Sequence, residues 1–235
     1  ELKSRFIAGV SHDLRTPLAS ILLMAENLEN QTIGGDRARL YHSTIRRETE
    51  RLRRRVDDVL DFGRIERGQA ARANRELVDA ASFMEQLGTA CAERLVGESI
   101  RFEAGARGLP DALHVDPDAV RRTALNLVEN AARHGGAGRI ELVLDRPEGL
   151  ELRLLVRDDG RGVDARAARN LFEPFVRGPE AHLDPKGGSG LGLAIVRALA
   201  EAHGGRARLV PGLARSNDDS TGLGVEVTFG PEDRA

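Results

Sequence analysis

The chain has 235 residues, 40% of them hydrophobic and 31% charged, with a formal net charge of −2. That length holds one large domain or two small ones with a real core, and the near balance of charge gives no reason to expect nucleic acid or an anionic membrane as a partner. A single cysteine, Cys91, excludes an internal disulfide and suits a reducing compartment.

No apolar run approaches the roughly 20 residues of a membrane span, and no signal peptide is visible. The chain opens Glu1-Leu2-Lys3 with a helical pattern already under way. We read it as an excised piece of a longer protein.

Residues 2–65 read as two helices. Ile7, Val10, Leu14, Leu18, Ile21, Ala25 and Leu28 recur at steps of three and four and form one apolar stripe. Asn30 to Asp36, with Gly34-Gly35, breaks the pattern as a turn. Ile45, Thr49, Leu52, Val56 and Val59 continue the seam on a second helix. Two helices on a short loop form an antiparallel hairpin, and pairing two hairpins into a four-helix bundle covers both stripes, which predicts a homodimer. The arginine run Arg51, Arg53, Arg54, Arg55 reads as a solvated face paired with Glu48 and Glu50.

Polar, alanine-rich residues follow as a linker, placing the division at 1–67, 68–76 and 77–235. Val78 to Leu95 predicts a helix; Ser99 to Glu103 and Ala112 to Val115 predict short strands. Asp116-Pro117 opens a helix, with Asp as N-cap and Pro at the first helical position. Arg139 to Asp145 and Leu150 to Arg157 alternate around Arg-Pro-Glu-Gly as a hairpin. A helix over Leu191 to Ala202 and strands over Arg206 to Val210 and Gly224 to Phe229 complete an α+β layer fold.

Several positions carry candidate chemistry. Residues 11–18 read Ser-His-Asp-Leu-Arg-Thr-Pro-Leu. His12 and Thr16 are i and i+4 on one helix face, and Asp13 sits beside them, turned by about 100°. A carboxylate next to an imidazole takes a ring proton and fixes the tautomer, leaving the other nitrogen nucleophilic. Pro17 crowds the carbonyl of Asp13 and predicts a local kink.

Further along, Asn126 and Asn130 are again i and i+4, and their amide oxygens suit a Mg²⁺ that keeps several waters and bridges phosphates. Asp158-Asp159-Gly160-Arg161-Gly162-Val163 follows a predicted strand; a carboxylate at a strand end can accept an adenine N–H, and the glycines let backbone and base approach. Lys186 could reach a terminal phosphate. Gly187-Gly188-Ser189-Gly190-Leu191-Gly192-Leu193 opens a helix whose N–H groups suit phosphate. This run is not a Walker loop, since no Gly-Lys-Ser/Thr follows, nor a dinucleotide fingerprint, since no strand precedes it.

In order and spacing these motifs resemble those of the sensor histidine kinases of two-component systems, over nearly the whole chain. The resemblance implies a phosphoacceptor hairpin that dimerises, followed by an α/β two-layer sandwich of the type shared by gyrase, chaperone and histidine-kinase ATPases. It makes His12 the phosphoryl acceptor, Asp13 its general base, and Thr16 the residue that orients water to dephosphorylate the partner. It places Asn130 on Mg²⁺, Arg133 near the phosphates of ATP and His134 near the adenine.

It also selects Asp158, not Asp159, as the adenine-reading carboxylate, with Gly160, Gly162 and Val163 at the base. Leu171 to Arg177, with Phe172, resembles the phenylalanine box that hinges a lid over ATP, and Gly188 to Leu193 the second glycine box. The implied partner is a response-regulator receiver domain on a separate chain, and the implied setting is the cytoplasmic side of a membrane-anchored bacterial sensor. Two rivals are a nucleotide-gated phosphatase or scaffold, and an ATPase of the wider fold without histidine transfer.

Overall fold

The computed structural model describes residues 2–30, 34–66, 74–134, 136–174, 176, 190–214 and 221–230. The chain divides into two compact units, Glu1–Gly63 and Arg64–Ala235.

The first unit is built from two long helices, α1 (Leu2–Glu29) and α2 (Gly35–Glu66). α1 runs unbroken through Pro17. α2 opens with Gly35 at φ +61° and Asp36 in its first turn, where a carboxylate complements the helix dipole. Thr49 donates its hydroxyl to the Ile45 carbonyl at 2.8 Å, which satisfies the oxygen of a seam residue. Arg53 pairs with Glu50 at 2.7 Å, as a solvated face requires. Leu14, Ile21, Leu28, Ile45, Leu52 and Val59 are half-buried. Leu18, Leu22, Leu23, Leu40 and Leu60 each stay more than half exposed, which is a large apolar area for one copy of the chain. No helix among the described residues is long and apolar enough to cross a membrane.

The second unit begins with β1 (Glu76–Asp79), paired antiparallel with a later strand, β3 (Ala112–Val115). The helix expected from Val78 therefore starts two residues later, as α3 (Ala80–Arg94). The reason is local: the Asp79 carboxylate accepts from the Ser82 N–H at 2.8 Å and caps the helix, so the residues before it are released to the strand. β2 (Arg101–Arg107) likewise starts later and runs further than the expected Ser99 to Glu103. Its extra residues are held by a parallel ladder to β4 (Arg139–Asp145). α4 (Pro117–His134) lies between β3 and β4. β5 (Leu152–Asp158), the four-residue α5 (Ala165–Ala168), α6 (Gly192–Ala202), β6 (Arg206–Ala214) and β7 (Thr221–Phe229) complete the unit.

The main sheet has the order β2-β4-β5-β7-β6, antiparallel except for β2 with β4. One face packs on α3, α4 and α6. Ile140, Leu142, Leu144, Leu152, Leu154, Val156, Val225 and Val227 from the strands meet Phe83, Leu87, Val120, Leu127, Val128 and Val196 from the helices, all buried. The alternate residues form the opposite face and are tied by ion pairs. Arg153 pairs with Asp145 and Arg157 with Glu141, Arg139 reaches Glu103 at 2.6 Å, and Arg208 reaches Glu226 at 2.7 Å.

At one end of the helical layer a buried junction forms around Asp116. Its Oδ1 accepts from the Ala119 N–H at 2.9 Å, capping α4 as the sequence predicts. Its Oδ2 accepts the Asn74 N–H at 2.9 Å and faces His203 Nε2 at 3.4 Å. His203 closes α6, its Nδ1 lies 2.7 Å from the Leu199 carbonyl, and its own carbonyl accepts from Gly230 N–H and Arg75. Asp116→Ala removes a cap and strands a buried donor. Its expected cost is about 2 kcal/mol or more of stability, measured as a lower urea midpoint at unchanged m.

Candidate active site

α4 is amphipathic in a particular way: Val120, Ala124, Leu127, Val128 and Ala131 are buried, and Asn126 and Asn130 stand half-buried along another face. Asn126 donates its amide N–H to the Arg122 carbonyl at 2.9 Å, which aims Oδ1 the other way. A Cβ placed on Gly192 would stand 3.0 Å from that Oδ1, so the start of α6 lies directly against the asparagine helix. Gly190 precedes it at φ +71°, a left-handed turn that suits glycine. Leu191, the N-cap of α6, offers no side-chain hydrogen bond to the first turn. The first-turn N–H groups thus receive no cap from Leu191, and a helix N-terminus of this kind suits an anion.

Asp158 is the last residue of β5, on the same side as Leu152, Leu154 and Val156, and it is only 4% exposed. Gly160 N–H and Leu223 N–H both donate to its Oδ1, at 2.9 and 3.2 Å, leaving Oδ2 outside those two bonds. The approach of β7 is close enough that a Cβ on Gly222 would meet the Asp158 carbonyl oxygen at 2.0 Å and Oδ1 at 2.7 Å. Burial pushes the Asp158 carboxyl above the ordinary carboxylate range; the two N–H groups oppose that rise and the nearby Asp159 charge adds to it.

Asp159 has a different task. Its Oδ1 accepts from Gly138 N–H and Arg139 N–H, both at 2.8 Å, and pins the entry to β4. Gly162 turns with φ +67°, and Val163 keeps 40% of its surface exposed, an apolar side chain open to a flat ligand. Leu171 and Phe172 pack against the core, while Glu173 reaches across to Arg197 of α6 at 2.8 Å. Arg133 pairs with Glu129 at 2.9 Å.

Several expected site residues lie outside the described residues: Arg177, Lys186, Gly188 and Ser189, together with the side chains of His12, Asp13 and His134. His12, Asp13 and Thr16 lie on α1, and Thr16 is exposed. Within the second unit, the described members of the expected site fall on α4, the end of β5 and the loop that follows it, the turn at Phe172 and the start of α6.

Residues 2–68 match the family described as His Kinase A (phospho-acceptor) domain, and residues 115–234 match the Histidine kinase-, DNA gyrase B-, and HSP90-like ATPase family. The chain belongs to the sensor histidine kinases. The sensor protein SphS of Synechococcus elongatus is 34% identical over 212 residues, covering 87% of this chain and 50% of that protein. A solved structure of full-length ShkA in complex with AMPPNP is 28% identical, with a TM-score of 0.65 over 95% of this chain and 46% of that one. Histidine kinase ThkA in complex with the response regulator protein TrrA shares the fold at 18% identity, with a TM-score of 0.66 over 98% of this chain and 63% of that one. The chain spans half or less of the length of several curated relatives that it matches.

Two kinds of residue were not anticipated from sequence. Arg94, at the end of α3, grips Glu129 at 2.6 Å, and nothing in the pattern of either helix announces the pair. His203 was one histidine among six. The Gly204-Gly205 that follows it was the available sign of a helix end.

The raised pKa of Asp158 has a thermodynamic consequence. The folded chain holds this proton more tightly than the unfolded chain, so ionising Asp158 costs stability at neutral pH, and the cost vanishes as pH falls through the raised value. Asp158→Asn keeps an oxygen for both N–H groups and removes that cost. We expect its melting temperature at neutral pH to equal or exceed wild type, the gap narrowing on acidification, while adenine-nucleotide affinity in calorimetry falls about tenfold or more.

Proposed function

We propose that this chain is the catalytic core of a sensor kinase that moves the γ-phosphoryl group of ATP to His12 and then to an aspartate of a response-regulator partner. The observation that carries the reading is the buried Asp158 carboxylate, held by two backbone N–H groups on one oxygen, in a chain whose first helix bears Ser11 to Leu18. Asp158 Oδ2 accepts the adenine amino N–H, Val163 packs on the base, and Gly160 and Gly162 keep the approach open. The N-terminus of α6, from Gly190 to Leu193, and Arg133 take the phosphates. His134, Phe172, Arg177, Lys186, Gly188 and Ser189 complete the nucleotide site in this reading.

Among the described residues no group of three His, Cys, Asp or Glu side chains could hold a metal by itself. The amide donors fit instead a Mg²⁺ carried with the nucleotide, with Asn130 holding it and Asn126 alongside. When bound, that ion neutralises charge on the phosphates. A ring nitrogen of His12 bonds to the γ-phosphorus as the bond to the bridging oxygen breaks and ADP leaves; Asp13 takes the proton that the imidazole sheds. Thr16 orients water when the phosphoryl group is removed from the regulator.

The hairpin spans residues 1–67, the linker 68–76 and the ATP domain 77–235. The exposed leucines of α1 and α2 are covered by a second copy, giving a homodimeric four-helix bundle. The core works on the cytoplasmic side, beneath the sensor part of a membrane-anchored bacterial protein.

Incubation with Mg²⁺ and γ-labelled ATP tests the reading. We expect acid-labile, base-stable label on the wild type and none on His12→Gln. Label retained on His12→Gln moves the acceptor elsewhere, and no label despite nucleotide binding favours a nucleotide-gated phosphatase or scaffold. Asn130→Ala is expected to lose the Mg²⁺-dependent part of nucleotide affinity, at least about tenfold by calorimetry.

A further inference from the structure

Arg133 stands at a crossing of two rows on α4. It is three residues beyond Asn130, on the row that faces the nucleotide in the reading above, and four beyond Glu129, on the neighbouring row. Its guanidinium is paired with Glu129 Oε2 at 2.9 Å. The other oxygen of that carboxylate, Oε1, is held by Arg94 at 2.6 Å.

The two halves of this fork differ in stiffness. Arg94 is the last residue of α3, which packs on α4, and Cys91 one turn before it is fully buried; burial pushes the Cys91 thiol up to about 12, so it is an inert part of the packing. Arg94 thus reaches Glu129 from a packed helix junction. Arg133 lies in the last turn of α4 and is the more exposed partner, at 38% against 28% for Arg94.

We propose that Glu129 and Arg94 are positioning residues that set how readily Arg133 is given up to the phosphates of the nucleotide; the proposal rests on the reading of Arg133 as a phosphate contact. Glu129 competes with the phosphates for the guanidinium. A multiply charged phosphate chain wins that competition because it offers more acceptor oxygens and more charge. The exchange is easy because Glu129 is not left uncompensated: Arg94 keeps hold of Oε1. Without Arg94, more of the charge of Glu129 falls on Arg133 and the transfer becomes harder.

The two substitutions therefore act in opposite directions. With the whole 235-residue chain and a non-hydrolysable Mg·ATP analogue in calorimetry, we expect Glu129→Gln to tighten binding about twofold, the size of effect that an i,i+4 ion pair supports. Arg94→Ala is expected to weaken it about twofold, and Arg94→Lys to restore it by keeping the charge. Arg133→Ala is expected to weaken it more, and Glu129→Gln added to Arg133→Ala to change nothing further. Adenosine, which has no phosphates, is expected to bind all these variants alike in competition.

Four results overturn the proposal. If Arg133→Ala binds the analogue like wild type, the phosphate role of Arg133 falls and the proposal falls with it. If Arg133→Ala weakens binding but Glu129→Gln does not tighten it, the positioning role alone falls. If Glu129→Gln still tightens binding in the Arg133→Ala background, Glu129 acts by simple repulsion of phosphate. If adenosine shifts together with the triphosphate, the pair merely supports the fold.

Discussion

The carboxylate of Asp116 joins more of the second unit than any one hydrophobic contact does. It starts α4, meets the ring that ends α6, and receives the N–H of Asn74, the first described residue after α2. Arg75 adds two bonds to the carbonyls of Gly230 and His203, so the end of β7 enters the same knot. Such a buried group is tolerable because each oxygen has partners, and the same completeness makes it costly to disturb. α4 and α6 carry the asparagines and the glycine-rich start at their other reaches. With one end of each helix fixed, the relative position of Asn126 and Gly192 follows from helix length and packing.

At the sheet, the constraint is one of space. β5 delivers Asp158 on the side where Leu152, Leu154 and Val156 build the core, and β7 crosses so closely that Gly222 can carry no side chain. Among the described residues the carboxylate is held by backbone N–H groups and is paired with no cation. Dipoles of this kind hold orientation well and solvate the anion poorly. A ligand that brings its own donor to Oδ2 supplies what the site lacks.

The sequence was most legible where a local rule had no competitor. Asp116-Pro117 predicted the start of α4 because cap chemistry is set by adjacent residues. The period-two pattern around Arg-Pro-Glu-Gly predicted the hairpin of β4 and β5, and alternation by itself carries Asp158 to the inner face. Where two rules met, the reading went astray. Val78 belongs to an apolar series that suits a helix, yet Asp79 is the better cap, and pairing with β3 claims Glu76 to Asp79. The end of β2 was invisible because Ala104, Gly105 and Ala106 are poor strand formers held by their parallel neighbours in β4. Arg94 with Glu129, and Asp116 with His203, join residues 35 and 87 positions apart, a separation over which no periodicity operates.

The two borders of the main sheet have a social consequence. β2 presents Arg101, Glu103 and Arg107 along one border, and β6 carries Pro211 and a register shift along the other. Charge on a rim, a residue without an N–H and an irregular ladder each spoil the template that a stray strand needs. Neighbouring molecules therefore find no ready seam for growing the sheet across chains, even at high concentration. In the dimer proposed above, self-recognition falls to the leucine-bearing helices, where contact ends once the matching stripe is covered instead of continuing into a fibre.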